Sequence, residues 1–180
     1  MAQVRSFAPI ADARARVLIL GSMPGAASLA AGEYYAHSQN LFWRILGGMT
    51  AADPALSYAS RTRALKSCGI ALWDVLAACA REGSLDSAID DATIVPNDFA
   101  AFYRGHKRIA HIFFNGAKAE SCYRRHVLPT LADEPGLRRY ERLPSTSPAH
   151  ASMTRARKED FWKHALSRAL ATSPGARSAG

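Results

Sequence analysis

Cysteine is scarce in this chain: Cys68, Cys79 and Cys122 are three thiols in 180 residues, widely separated and without a C-x-x-C pair. That excludes a disulfide framework and the usual zinc-finger spacings, and points to buried or free thiols in a reducing compartment. Long apolar runs are missing as well. The amino-terminal stretch is interrupted by Pro9, Asp12 and several arginines, and no later run approaches the roughly 20 apolar residues of a membrane span. We therefore expect a cytoplasmic protein with no membrane partner. Nucleotide-binding signatures are also wanting: G-S-M-P-G at residues 21–25 carries no G-K-[ST] and does not match G-x-G-x-x-G. The histidines at 37, 106, 111, 126, 150 and 164 have no ligand spacing, and Asp90 and Asp91 stand side by side in a polar stretch, so neither a metal nor another cofactor is expected. Acidic residues are outnumbered, 15 Asp plus Glu against 23 Lys plus Arg, for a formal charge of +8. Such a surface attracts polyanions, nucleic acid first among them, although an arginine-rich coding bias would produce the same balance.

What the chain does have is a core: 48% of its residues are hydrophobic, enough for one compact domain, assigned to residues 1–172 and expected to be monomeric, with a disordered polar tail at 173–180. Residues 17–20, a Val-Leu-Ile-Leu run ending in Gly21, predict a buried strand, followed by a long loop of small residues that carries Tyr34, Tyr35, His37 and Asn40 into Leu41, Phe42 and Trp43. Leu41, Phe42, Ile45 and Leu46 share a helical face that Gly47 and Gly48 close. Residues 57–68 predict a helix stopped at Gly69, and 70–76 the next strand, presenting Trp73 and Asp74 at its end. Residues 77–97 are rich in turn signals and show no clear element. Asn97 or Asp98 caps a helix through Phe99, Phe102 and Tyr103. Residues 111–116 repeat the pattern of a hydrophobic strand ending in glycine, leading to a helix over 117–127. A fourth strand is expected at 139–143, and a final amphipathic helix at 155–170 with Phe161, Trp162, Ala165, Leu166 and Ala169 inward. Residues 1–15 are expected to cover a sheet edge.

Strands alternating with helices imply a parallel sheet covered on both faces, because parallel strands need crossover connections. The fold expected is α/β, a three-layer α/β/α sandwich on a central, mainly parallel four-stranded sheet. Three segments then end at one edge: the loop after the first strand, the Trp73–Asp74 pair, and the turn at 145–150. Ligands of open α/β sheets bind at the carboxyl ends of strands, so these segments would form a pocket.

The stretch GSMPGAASLAAGEYYAHSQNLFW, with the later GIALWDVL and LPSTSPAHASM, resembles the uracil-DNA glycosylase superfamily, and within it the deoxyinosine (hypoxanthine) DNA glycosylase branch. The resemblance runs over most of residues 16–165. It implies a monofunctional DNA repair enzyme that hydrolyses the N-glycosidic bond of a flipped-out deaminated base, uracil or hypoxanthine, in DNA. A uracil-specific enzyme is the neighbouring reading, and a non-catalytic nucleic-acid-binding domain of the same fold is the alternative. Met23 stands where mismatch-type relatives carry a catalytic asparagine and many others an aspartate, and methionine can neither orient nor deprotonate water.

In the hypoxanthine branch the essential polar residue is the asparagine later in the same motif, which corresponds to Asn40; as a sequence feature alone, Asn40 is equally an N-cap for the helix at Leu41. The resemblance also implies that Gly21, Ser22 and Met23 form the base-binding loop, with Tyr35 as the stacking aromatic. Asp74 stands where other branches read the base with an asparagine; a carboxylate there accepts a ring N–H, as in uracil and hypoxanthine, and repels the bare ring nitrogen of cytosine or adenine. Otherwise Tyr35 is a core residue and Asp74 a cap or an ion-pair member. Ser145, Ser147, Pro148 and His150 match the DNA-contacting turn, or form a structural one. The histidine that begins this turn in several branches is absent, as is the cysteine set of the iron–sulfur branch. No lysine lies in the first loop, so Schiff-base lyase chemistry is not expected.

Overall fold

The computed structural model describes residues 2–131 and 138–171; the tail at 173–180 lies outside the described residues. The chain opens with strand β1 (Ala2–Arg5) and enters the core with β2 (Val17–Gly21), every residue of which is buried. Helix α1 (Ala26–Ala31) lies within the stretch expected to be a loop, and α2 (Phe42–Gly47) follows. Helix α3 (Tyr58–Ser67) is capped by Ser57, whose hydroxyl accepts from the Ser60 N–H, and leads through Gly69 into β3 (Ile70–Asp74). After Val75 the chain continues as β4 (Leu76–Arg81), returns as β5 (Ile89–Pro96), and enters α4 (Phe99–Gly105), where Asp98 is the cap. The remainder is β6 (His111–Asn115), α5 (Ala117–Cys122), β7 (Arg139–Leu143) and α6 (Arg155–Ala171).

Strands β3, β2, β6 and β7 form a four-stranded sheet in that order, all parallel, and helices flank it to give the three-layer α/β/α fold. Its inner strands read as unbroken apolar runs because both faces are covered, which is why they carry no alternating pattern. Val17 pairs with Ile70 on one side and His111 on the other, so the sites that follow Gly21, Asp74 and Asn115 open at one edge.

Several expectations need correction. Residues 77–97 hold two strands, and β1, β4 and β5 form a second, antiparallel sheet. The predicted strand over 70–76 is two, divided at Val75, where the chain leaves one sheet for the other. The amino-terminal segment lies along a sheet edge as expected, Ile10 pairing with Leu72 on the free edge of β3, but residues 2–5 also form β1, which extends the second sheet. The helix over 117–127 is α-helical only to Cys122 and widens to a π-type turn over Tyr123–Val127. On α6, Trp162, Ala165, Leu166 and Ala169 are buried as expected, but Phe161 is 49% exposed, and Lys158 takes the inward position one turn before Trp162. Trp162 explains this phase: it is completely buried, edge-on to Phe42, and its indole N–H donates to the Pro144 carbonyl at 2.8 Å.

Candidate active site

A cavity of about 650 Å³ opens at the carboxyl edge of the parallel sheet. Its walls include Gly21, Ser22, Met23, Tyr35, Asn40 and Asp74. The turn supplies Ser145, Ser147, Pro148 and His150, so all ten residues singled out in the sequence meet around one space.

Its floor is Gly21 and Asp74. The two end paired strands, Gly21 opposite Asp74, and a side chain at Gly21 would overlap Asp74 Oδ1 and lie 3.0 Å from the Tyr35 hydroxyl. Glycine is therefore needed for close approach rather than for its backbone angles. Asp74 is 3% exposed, and its Oδ2 accepts from the Ser6 hydroxyl at 2.6 Å. Burial pushes its pKa up to about 7, with the nearby Asp86 adding to the rise and the Ser6 hydroxyl and Arg81 opposing it. Asn97 fixes the backbone here by donating to the Asp74 carbonyl at 2.8 Å.

Tyr35 has a left-handed backbone, φ 56°, which is uncommon for a bulky residue. That conformation lays its ring on Phe42, with centroids 4.1 Å apart and planes 20° from parallel. Its hydroxyl is buried with no hydrogen-bond partner among the described residues, and burial, with the negative charge of Asp74, holds it strongly in the phenol form. A flat aromatic shelf backed by Phe42 and Trp162 thus borders the cavity.

Asn40 precedes α2. Its Oδ1 accepts from the Phe42 N–H at 3.0 Å, and its own N–H donates to the His37 carbonyl at 2.8 Å. The helix begins one residue later than expected, with Leu41 in the cap position and no cap bond from the Leu41 side chain. Asn40 therefore satisfies an amide of the first turn while standing in the cavity wall, and its Nδ2 donates to no described residue. Met23 is 6% exposed and packs into the core.

The 145–150 turn is locked from beneath. Thr146, wholly buried, donates its N–H to Asn115 Oδ1 at 2.9 Å and accepts from Asn115 Nδ2 at 2.8 Å, and its carbonyl receives the Leu41 N–H. Gly116 has φ 98° and leaves room for Ser145, whose Cβ would be 3.1 Å from a methyl there. From α6, the buried Lys158 ammonium donates to the carbonyls of His150 and Ser147. Burial lowers its pKa. The turn after β7, the end of β6 and the start of α2 are thereby one connected unit.

Sequence reasoning missed the wall facing the 21–26 loop. Arg81, 2% exposed, donates to the Pro24 carbonyl; the Ser84 hydroxyl accepts the Ala26 N–H at 2.8 Å; Asp86 Oδ1 accepts the Ser22 hydroxyl at 2.5 Å. Alternate residues of the loop are thus each held by a side chain from 81–86. Asn115 and Lys118 also line the cavity. Asn115 had a visible signal, since it ends a strand as Asp74 does; residues 81–86 had none beyond turn composition.

The chain has relatives among known proteins. The profile of the Uracil DNA glycosylase superfamily matches residues 8–170. The chain belongs to the uracil DNA glycosylase superfamily. It is 39% identical over 116 residues to a hypoxanthine DNA glycosylase of Methanosarcina barkeri, covering 64% of this chain and 72% of the relative. The match to the hypoxanthine DNA glycosylase of Methanosarcina acetivorans is the same in identity and coverage, over 118 residues. A solution NMR structure from Methanosarcina acetivorans, described as a candidate uracil DNA glycosylase, superposes with a TM-score of 0.72 at 33% identity, covering 91% of this chain and 98% of that one. Among the described residues no three His, Cys, Asp or Glu side chains converge as a metal site, and no helix is long and apolar enough to cross a membrane.

Proposed function

We propose that the protein is a monofunctional DNA glycosylase that removes deaminated bases, hypoxanthine foremost and uracil as the second candidate. The observation that carries this reading is the meeting of Asn40, Tyr35 and Asp74 around one cavity, with Met23 in place of a catalytic carboxylate. The names of the relatives favour hypoxanthine over uracil.

Breaking the N-glycosidic bond builds positive charge on the sugar and negative charge on the departing base, and preorganised dipoles can stabilise both. The flipped base stacks on Tyr35, which recovers part of the few kcal/mol spent in unstacking it. Asp74, as carboxylate, accepts the ring N–H found in both hypoxanthine and uracil. Backbone N–H groups of residues 21–25 hold the base oxygen. The Asn40 side chain positions the water that attacks C1′; its Oδ1 already serves the Phe42 N–H, so Nδ2 is the group free to orient that water. The bond from C1′ to the base breaks with its electron pair on the base, the water oxygen bonds to C1′ and gives up one proton to solvent, and solvent protonates the released base anion.

Lys118 stands in the cavity wall, where a Schiff base could be imagined. Its ammonium is tied to Asp91 at 2.6 Å, and although burial opposes it, that partner raises its pKa on balance. A lysine that keeps its proton is a poor nucleophile, which supports hydrolysis without strand cleavage.

The deciding experiment incubates labelled duplexes, each with one deaminated base, with the enzyme. Alkali-sensitive abasic sites are expected for deoxyinosine or deoxyuridine, with no strand breaks before alkali. If every duplex stays intact, the non-catalytic DNA-binding reading replaces this one. Duplex affinity should fall steeply as salt rises, because a protein of charge +8 releases counterions from the phosphates it neutralises. A salt-independent affinity in a filter-binding titration would contradict the DNA substrate. Excision is expected to proceed at an unchanged rate in EDTA; loss of activity that a divalent ion restores would count against the mechanism.

A further inference from the structure

Arg81 is a buried cation that the chemistry above leaves without a task. It ends β4 at 2% exposure, where arginine is rare unless paired, yet among the described residues no carboxylate lies within ion-pairing distance of it. Asp74 and Asp86 feel its charge without touching it. Its Nε donates to the Gly83 carbonyl at 3.0 Å and Nη2 donates to the Pro24 carbonyl, while Nη1 is buried with no partner among the described residues. The contact with Pro24 belongs to a pattern. The Gly21 carbonyl accepts the Val75 N–H at 2.9 Å, the Ser22 carbonyl accepts the Leu76 N–H at 3.2 Å, and Pro24 accepts from Arg81, so three carbonyls of the base-binding loop face the β3–β4 side. These peptides are trans, and a trans peptide points its N–H opposite to its C=O. The N–H groups of Ser22, Met23 and Gly25 are therefore turned to the other side, where these residues line the cavity, and they donate to no described residue.

Breaking the glycosidic bond leaves negative charge on the base, and two carboxylates, Asp74 and Asp86, already stand in the cavity wall. We propose that Arg81 is a positioning residue for base departure: its guanidinium, bonded to the Pro24 carbonyl, polarises the Pro24–Gly25 peptide so that the Gly25 N–H binds the oxygen of the departing base more strongly as negative charge grows there. A hydrogen bond made at one end of a peptide strengthens the bond made at the other, and the low dielectric of a buried site enlarges the effect. The cation also offsets the repulsion between those two carboxylates and the base anion. Water would screen such a charge, and burial behind the loop prevents that. Arg81 exchanges no proton, because a guanidinium keeps its own throughout. The bond from C1′ breaks with its electron pair on the base as described above, and the guanidinium acts only on that charge. Lys118, another cation of the cavity wall, is engaged by Asp91. The inference rests on the glycosylase reading given above and adds the group that stabilises the leaving base from behind the loop.

The test is single-turnover excision of deoxyinosine and deoxyuridine by wild type, Arg81→Lys, Arg81→Gln and Gly25→Pro, with duplex affinities and melting curves for each. Lysine and glutamine both carry a donor for the Pro24 carbonyl, and only lysine carries the charge. Arg81→Gln should excise about tenfold to a hundredfold more slowly, below the loss for a donor in direct contact, while Arg81→Lys recovers most of that rate. Duplex affinity should change less than about twofold in both, since a buried residue behind the loop meets no phosphate. Gly25→Pro deletes the amide itself at a position whose φ of −71° proline adopts, and it should cost about a hundredfold; adding Arg81→Gln to it should cost little more. Equal rates for Arg81→Lys and Arg81→Gln would make Arg81 a brace for the loop and overturn the proposal, as would Gly25→Pro excising at the wild-type rate. Failure of both Arg81 variants to fold would do the same, by making the residue structural. A wild type inert on every deaminated base overturns the glycosylase reading itself, and is seen without any variant.

Discussion

Asn40→Ala is expected to excise a deaminated base about a hundredfold to a thousandfold more slowly than wild type in single turnover, the usual cost of removing one preorganised polar group from a reacting centre. Stability should change far less. The lost bond is the one from the Phe42 N–H to Oδ1 at 3.0 Å, a cap-type interaction worth about 1 kcal/mol. The two effects are separable because the amide has two ends: Oδ1 serves the helix, and in the proposed mechanism Nδ2 serves the water. Asn40→Asp keeps the helix acceptor, so its melting curve should match wild type. Its second carboxylate oxygen replaces a donor with an acceptor that can hold and deprotonate water, so it should retain part of the activity that alanine loses. If Asn40→Ala melts lower yet excises at the wild-type rate, Asn40 is a helix cap alone, and Ser22 becomes the next residue to vary.

Legibility in the sequence tracked how local each determinant is. The Val-Leu-Ile-Leu run before Gly21 and the Ile-Phe-Phe run before Asn115 announce buried strands because a covered parallel sheet needs continuous apolar residues. Asn40, Tyr35 and Asp74 sit beside such runs, so their placement at one sheet edge followed once the strands were parallel. The second sheet was hidden by its composition. Residues 76–81 are small, with three alanines and a cysteine, and 89–96 interrupt their apolar residues with Asp90, Asp91 and Pro96, so neither stretch displays a period. Arg81, Ser84 and Asp86 acquire their roles only when that sheet folds back on residues 22–26, a contact across about 60 positions that no local pattern encodes. Phe161 fails for another reason. On a helix both it and Trp162 can face inward, and the choice is made by the Pro144 carbonyl and the turn carbonyls that claim Trp162 and Lys158.

Asp74 is expected to make excision depend on pH in one direction. Its buried carboxyl has a pKa of about 7, so below neutrality it is mostly protonated and its remaining carbonyl oxygen accepts the base's ring N–H only as a weaker, uncharged acceptor. The rate should climb as pH rises toward 7 and level off above it. Asp74→Asn removes the titration. Its amide oxygen can still accept the N–H, provided Ser6 turns from donor to acceptor to satisfy the amide nitrogen, so this variant should retain part of the activity with a flat profile. Asp74→Ala should lose most of it at every pH. Stability must respond in the opposite sense. The native state binds the Asp74 proton more tightly than the unfolded chain does, so wild-type stability should fall as pH rises from the ordinary carboxylate range through about 7. Asp74→Asn escapes that loss, and above neutrality it should be the more stable protein by up to a few kcal/mol, with the gap closing on acidification. Urea unfolding of the two proteins at pH 5 and pH 8, beside their excision rates, checks both halves. A wild-type rate that is flat across this range, or an alanine variant of full activity, would remove Asp74 from base reading, while a stability gap as large at pH 5 as at pH 8 would show that the carboxyl is not the group titrating.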